Sequence, residues 1–188
     1  MKKLAILALV ALPMVGRCVP TPPSAAPAKT YLGFVNVDNA LPAEEFKTAA
    51  EATGKYLNMN VKTFDEKKLD TAKKFDAAPV VVFVTKNEKP LVSPFEWSII
   101  NVSKVGEGNP DAEKKAMRLK KLFMRGMAFA AGCGASVEGQ CSMFHEALRK
   151  GDLDSGKPCY TPGVYFPLQE ILPAICGDGI SVSFESEE

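Results

Sequence analysis

The sequence predicts an α/β (α+β) fold: a small, twisted, mostly parallel sheet with helices, followed by an irregular C-terminal region. Three observations predict it. The run PVVVFVT, Pro79–Thr85, is apolar at nearly every position, the pattern of a central strand covered on both faces. A strand–helix–strand succession starts near Tyr31, the order in which parallel pairs are built. A long helical pattern from Asn109 to Gly132 precedes a region punctuated by glycine and proline.

The elements follow in order. Tyr31–Val37, YLGFVNV, reads as a buried first strand. Pro42 opens a helix, PAEEFKTAAEATGKYL, with Glu44 and Glu45 in its first turn, where the helix dipole favours negative charge. Its apolar positions Phe46, Ala49, Ala50 and Tyr56 recur at helical spacing. Val61–Phe64 is a short second strand, and Glu66–Phe75 a polar surface helix or turn. After Pro79–Thr85 a turn at Asn87–Pro90 leads to PLVSPFEWSIINVSKV. Within it Ser98–Val105 alternates as a strand, and Pro94 marks an edge or bulge before it. Asn109-Pro110-Asp111 predicts a helix start, with a cap, a proline at the first position and an acid. Ala116, Leu119, Phe123, Met127 and Ala130 form that helix's apolar stripe, and Gly132 its stop. A last short helix is expected over Pro167–Ile175, broken or kinked by Pro173, and the acidic tail after Gly179 as a short strand followed by disorder.

Lys2 and Lys3 precede the apolar stretch Leu4–Gly16, which is short for a membrane span, so residues 1–18 read as a signal peptide. Residues 19–30, with TPPSAAPA at their centre, read as a Pro/Ala-rich tether, and 31–188 as a single domain. The expected product is an exported, bacterial-type protein of the periplasm, cell surface or medium. Cys18 stands where a lipid-anchored cysteine stands, although Arg17 replaces the usual small residue before it. Cleavage near Cys18 or within Ser24–Ala28 is the alternative. Export and an even number of domain cysteines favour disulfides among Cys133, Cys141, Cys159 and Cys176. Neighbour pairing, Cys133–Cys141 and Cys159–Cys176, is the simplest arrangement. A four-cysteine zinc site is the rival, without the C-x-x-C knuckle such sites favour.

Lys and Arg number 23 against 22 Asp and Glu, so no net basic field recruits nucleic acid. A membrane role is expected only through the signal sequence or a lipid anchor.

The segment RGMAFAAGCGASVEGQCSMF, Arg125–Phe144, carries a helix end, a turning glycine at Gly132, and Cys141-Ser142-Met143. With the order of elements over Tyr31–Cys176, it resembles the metzincin zinc peptidases, specifically the archaemetzincin-like branch. In that family a His-Glu-x-x-His helix runs to a turning glycine, a third His follows three residues later, and a Cys-x-Met turn lies beneath the metal. Anchoring on Gly132 puts Arg125 at the first His, Gly126 at the catalytic Glu, Phe129 at the second His and Ala135 at the third. Met143 takes the Met-turn position. Zinc needs about three neutral or anionic ligands and an open position for water. Arg125 is cationic and Phe129 has no lone pair, and His145 is the chain's one histidine. The resemblance thus implies a scaffold without its metal: no bound metal, no cofactor and no catalytic residue. The family's edge strand above the cleft implies that Ser98–Val102, beside Trp97 and Phe95, pairs with an extended peptide. Candidate binding residues are Arg125 and Trp97; Arg125 is expected to fill the metal position, to pair with Glu138 or Glu146, or to accept an anion.

Two further motifs have a chemical reading. Cys141 and His145, four apart, would touch on a helix and form a thiol–imidazole pair. Asp152-Leu153-Asp154-Ser155-Gly156 has the alternate carboxylates of a calcium loop, but its glycine is one place early and no closing Glu follows. A polar turn is the simpler reading. The functional expectation is an exported, catalytically silent metzincin-like protein that binds an extended peptide or an envelope protein. The alternatives are an active secreted hydrolase, by divergent metal or Cys–His chemistry, and a structural envelope protein of unrelated α/β fold.

Overall fold

A computed structural model describes residues 31–75 and 78–176, with Cys176 described in its backbone alone. The expected signal segment (residues 1–18, with Cys18), the expected tether (19–30) and the acidic tail after Gly179 lie outside the described residues. The element order is β1 (Leu32–Val37), α1 (Ala43–Leu57), β2 (Val61–Glu66), β3 (Val80–Thr85), β4 (Leu91–Ser93), β5 (Trp97–Asn101), α2 (Ala112–Ala130), α3 (His145–Lys150) and α4 (Pro162–Cys176).

The sheet order is β2-β1-β3-β5-β4. β1 pairs in parallel with β2 (Leu32 opposite Val61) and with β3 (Leu32 opposite Val80). β3 pairs in parallel with β5, and β4 returns antiparallel along β5, Leu91 opposite Ile99. The two central strands, β1 and β3, are buried at every position. This matches the pattern of apolar runs expected of parallel strands covered on both sides.

The two faces are covered differently. Leu32, Phe34, Val80, Val82, Val84 and Ile100 point to the helices. There Phe34 stacks on Phe123 of α2 with ring centroids 5.2 Å apart, and Phe46 of α1 meets the same ring edge-on. Full burial of such a ring contributes roughly 2–3 kcal/mol. The opposite face (Val35, Val37, Val81, Phe83 and Ile99) has no helix over it among the described residues. An aromatic chain Phe64–Phe75–Phe83–Trp97 seals it, with centroids 4.7, 5.9 and 6.4 Å apart. The segment after β2 is therefore turn and coil, not a surface helix, and its work is to lay Phe75 on the sheet.

Several expectations are corrected. The strand after Pro94 ends at Asn101, not Val105, because the Asn101 side chain turns the chain by accepting from the Ser103 amide at 2.9 Å. It is not an edge: β3 and β4 flank it, and β4, unforeseen, is the edge strand. The cap of α2 is Asp111, whose carboxylate accepts from the Lys114 amide at 2.7 Å; Pro110 lies before the cap, outside the helix. Pro42 likewise precedes α1 instead of occupying its first turn. The C-terminal region is more helical than its glycines suggest. α3 interrupts it, and α4 starts at Pro162 and runs through both Pro167 and Pro173. Each proline removes a helical donor, yet Val164, Leu168 and Leu172 are buried in the main core, and that packing holds the helix.

Candidate functional site

Between the β4–β5 edge and the C-terminal half of α2 lies a cleft of about 590 Å³. One wall is Val92, Ile100 and the turn Asn87–Pro90; the other is Leu122, Arg125, Gly126 and Phe129 of α2, closed by Leu148 and Leu153. Three of the positions aligned with a zinc site, Arg125, Gly126 and Phe129, thus line one cleft.

Gly126 lets the helix press onto the sheet. A Cβ there would lie 2.7 Å from Ile100 Cγ2 and 2.8 Å from Val82 Cγ1. The Ser98 hydroxyl donates to the Gly126 carbonyl at 2.7 Å, fixing helix to β5. Gly132 ends the helix with φ +84°, in the left-handed region that favours glycine, and a Cβ there would strike the Phe95 ring at 2.7 Å. The Phe95 amide in turn donates to the Ala130 carbonyl at 2.8 Å. Ala135 does not join the cleft; it is exposed on the loop beyond.

Met143 is fully buried in the main core. Its carbonyl accepts from the Ser136 amide, and the His145 amide donates back to Ser136, both at 2.7 Å. This short bridge fixes the turn, whose Met143 does not itself line the cleft. Arg125, 5% exposed, grips the same turn: Nε donates to the Ser142 carbonyl at 2.6 Å and Nη2 to the Asp152 carbonyl at 3.3 Å. The expected partners Glu138 and Glu146 are not used. Burial lowers the Arg125 pKa, partly offset by the nearby Asp152 carboxylate.

Arg125 is the last of four cations along one face of α2. Lys114 and Arg118 both reach Asp154, Arg118 through two parallel bonds of 2.7 and 2.8 Å. Arg118 Nη1 also donates to the Val105 and Glu107 carbonyls. Lys121, 1% exposed, donates to the Ser155 and Gly156 carbonyls at 3.3 and 3.0 Å; burial and the neighbouring Arg125 lower its pKa. The Asp152–Gly156 loop is therefore tied to the helix by cations of the chain itself. Asp152 spends its oxygens on Ser155 and the Asp154 amide, and these bonds lower its pKa; Asp154 is held far below the carboxylate range by Arg118. The calcium-loop reading gives way to a polar turn.

Trp97 lies on the other face of the sheet, edge-on to Phe83, and takes no part in the cleft. Cys141 is fully buried, with its Sγ 3.4 Å from the Met143 amide, whereas His145 opens α3 on the surface beside Glu146. The turn at Cys141–Phe144 is not helical, so the four-residue spacing does not make a thiol–imidazole pair. Cys133, Cys141 and Cys159 carry free thiols, and burial raises the pKa of Cys133 and Cys159; the Cys176 side chain lies outside the described residues. Sequence reasoning missed the roles of Arg118 and Lys121, although their signal was legible: cations stepping four, three and four residues along a helix from Lys114 to Arg125.

No protein-family profile and no curated relative matches the sequence. Solved structures do. The chain is similar to an archaemetzincin from Methanopyrus kandleri, with TM-score 0.60 and 17% identity over 79% of this chain and 99% of that one. It is also similar to an archaemetzincin from Archaeoglobus fulgidus, complexed with malonate, with TM-score 0.51 and 13% identity over 74% and 99%. These likenesses show the fold: the chain is an archaemetzincin-like scaffold. The zinc that this fold implies does not fit the residues present. Arg125, Gly126, Phe129 and Ala135 supply neither imidazole nor carboxylate, and among the described residues no group of three or more His, Cys, Asp or Glu could hold a metal ion.

Proposed function

We propose that this is an exported, non-hydrolytic archaemetzincin-like protein that binds extended peptide in the cleft between β4 and α2, at the cell envelope. One observation carries the reading: a guanidinium and a phenyl ring, Arg125 and Phe129, line the cleft on the helix turn where the fold family needs two imidazoles. Such a wall repels a divalent cation and leaves no nucleophile-activating group. The edge offers what a peptide needs. β4 is short and exposed at Leu91 and Val92, and one of its sides is already paired to β5. A peptide strand on its free side would gain main-chain hydrogen bonds. Export rests on Lys2, Lys3 and the apolar Leu4–Gly16, with lipidation of Cys18 as part of the same reading.

The test is one preparation of mature protein from its native host, measured three ways. Expected are a processed N-terminus, substoichiometric zinc, and intact recovery of a random peptide library from which a subset is retained. Stoichiometric zinc, removed by a chelator with loss of peptide cleavage, would establish the hydrolase instead.

A further inference from the structure

Among the described residues Arg125, which lines the cleft, pairs with no carboxylate, and from this we infer that the cleft's ligand is an extended peptide carrying an acidic side chain, whose carboxylate binds Arg125. The inference rests on the peptide-binding reading and adds the ligand's chemistry. Arg125 is 5% exposed, yet its two acceptors are backbone carbonyls, Ser142 and Asp152. Among the described residues it forms no ion pair, whereas Arg118, two turns earlier, has a full bidentate carboxylate in Asp154. The nearest acid, Asp152, is committed to Ser155 and to the Asp154 amide. Nε and one Nη2 hydrogen are used, so Nη1 and the remaining Nη2 hydrogen form an open fork.

Arg125 lines the cleft, so the fork has a space to serve. A buried cation without an anion is costly, and a ligand carboxylate that completes it recovers that cost through paired charge-assisted bonds. The surroundings select the same charge. Lys121 is packed beside Arg125, and Lys89 and Lys104 stand at the cleft's rim against one acid there, Glu88. The rest of the wall is apolar: Val92, Ile100, Leu122, Phe129, Leu148 and Leu153. It suits the aliphatic stem and flanking residues of a peptide better than a fully hydrated ion. A peptide running along β4 would direct alternate side chains toward α2.

The experiment compares capped hexapeptides of Ala and Val with a central Glu, the same peptides with Gln, and free glutarate, by calorimetry and by NMR of the arginine side chains. Binding of the Glu peptide about tenfold or more tighter than the Gln peptide is expected, the discrimination of a hydrogen-bonded charge, with the Arg125 Nε–H resonance shifted. Glutarate should bind more weakly than the Glu peptide. Equal binding of Glu and Gln peptides would overturn the inference and leave the peptide-binding reading standing. Binding of no peptide would overturn both, and binding of glutarate alone would reassign the site to a small carboxylate. Arg125 also holds the turn, so the variant of choice is Phe129→Glu, which places a carboxylate one helical turn from the fork. Folded F129E should lose the Glu preference and Phe129→Gln should keep it; F129E that binds the Glu peptide like the parent protein would also refute the assignment.

Discussion

Gly126→Ala is a direct probe of the packing that shapes the cleft. In an ordinary helix interior the change would stabilise by roughly 1 kcal/mol, since alanine loses less backbone entropy than glycine. Here the new methyl would sit 2.7 Å from Ile100 Cγ2 and 2.8 Å from Val82 Cγ1. Ordinary contact between carbons needs about 3.5–4.0 Å, so helix or strand must part by close to an ångström. Both neighbours are β-branched, with restricted χ1, and stand on strands β5 and β3 in the sheet interior. The movement would also stretch the 2.7 Å bond from Ser98 to the Gly126 carbonyl. Overpacking of this kind costs roughly 1–3 kcal/mol. Set against the helix gain, a net loss of about 1 kcal/mol is expected. For a domain of this size that is a fall in Tm of about 2–4 °C. Calorimetric melting of G126A against the parent reads it directly. Val82→Ala removes one of the two clashing methyls, so the double variant should recover roughly 0.5–1 kcal/mol as coupling. A Tm that rises in G126A, with no coupling to V82A, would refute the close packing and with it the account of the cleft wall.

Gly132→Ala should cost about 1–2 kcal/mol by chemical denaturation, since an L-residue is strained at this positive φ and its methyl would strike the Phe95 ring at 2.7 Å. Tyr160→Phe deletes a buried hydroxyl that donates to the Met124 carbonyl at 2.6 Å; a loss of about 1–2 kcal/mol is expected by urea titration, and a neutral result would remove Tyr160 from the contacts tying α2 to the C-terminal region. Burial holds the Tyr160 phenol well above its usual pKa, so its absorbance should titrate only with alkaline unfolding. Asp154 and Asp152 both have folded pKa values below 3.8. Their contribution is therefore complete above that value and is lost as pH falls below it toward the folded pKa. Asp154→Asn should flatten the acid limb of the stability curve, and an unchanged limb would show that the Arg118 pair does not carry it.

The fold was legible where hydrophobic burial alone decides it. β1, β3 and α2 announce themselves as apolar runs and a helical stripe, and each lies in the core. β4 was not legible, because three residues flanked by prolines carry no periodicity; it exists as a strand through pairing with Trp97–Ile99. The same missing strand made β5 look like an edge and Trp97 look like a ligand contact. Trp97 follows the alternation of β5: Ser98 and Ile100 face α2, so Trp97 and Ile99 must face away. Of the site, the helix positions were legible from the glycine that ends the helix, since Arg125, Gly126 and Phe129 share one face by spacing alone. Ala135 was not, because the chain beyond Gly132 is loop and its direction is set by the Ser136–Phe144 bridge.

The cations of α2 join helix to loop where this fold's zinc would join them. A zinc ion held by helix and loop would join α2 to the turn beneath it. Here Arg125 makes that connection, through Ser142, and reaches the following loop through Asp152. Arg118 and Lys121 extend the join along Asp154–Gly156, so each helical turn is tied to the loop that crosses it. These bonds differ in one respect that bears on function. Arg118 is neutralised by Asp154 within the chain, while Arg125 ends on carbonyls and faces the cleft. A purely structural cross-link would gain from an acid at Phe129, one turn away, where the pair could close internally. The sequence places a phenyl ring there and leaves the charge open. Folded F129E should therefore withstand denaturant better than F129Q, by about 0.5–1 kcal/mol after allowance for the partial exposure of the site. Equal stability of the two would mean that the Arg125 charge is already satisfied, and that the cleft has no need of an anion.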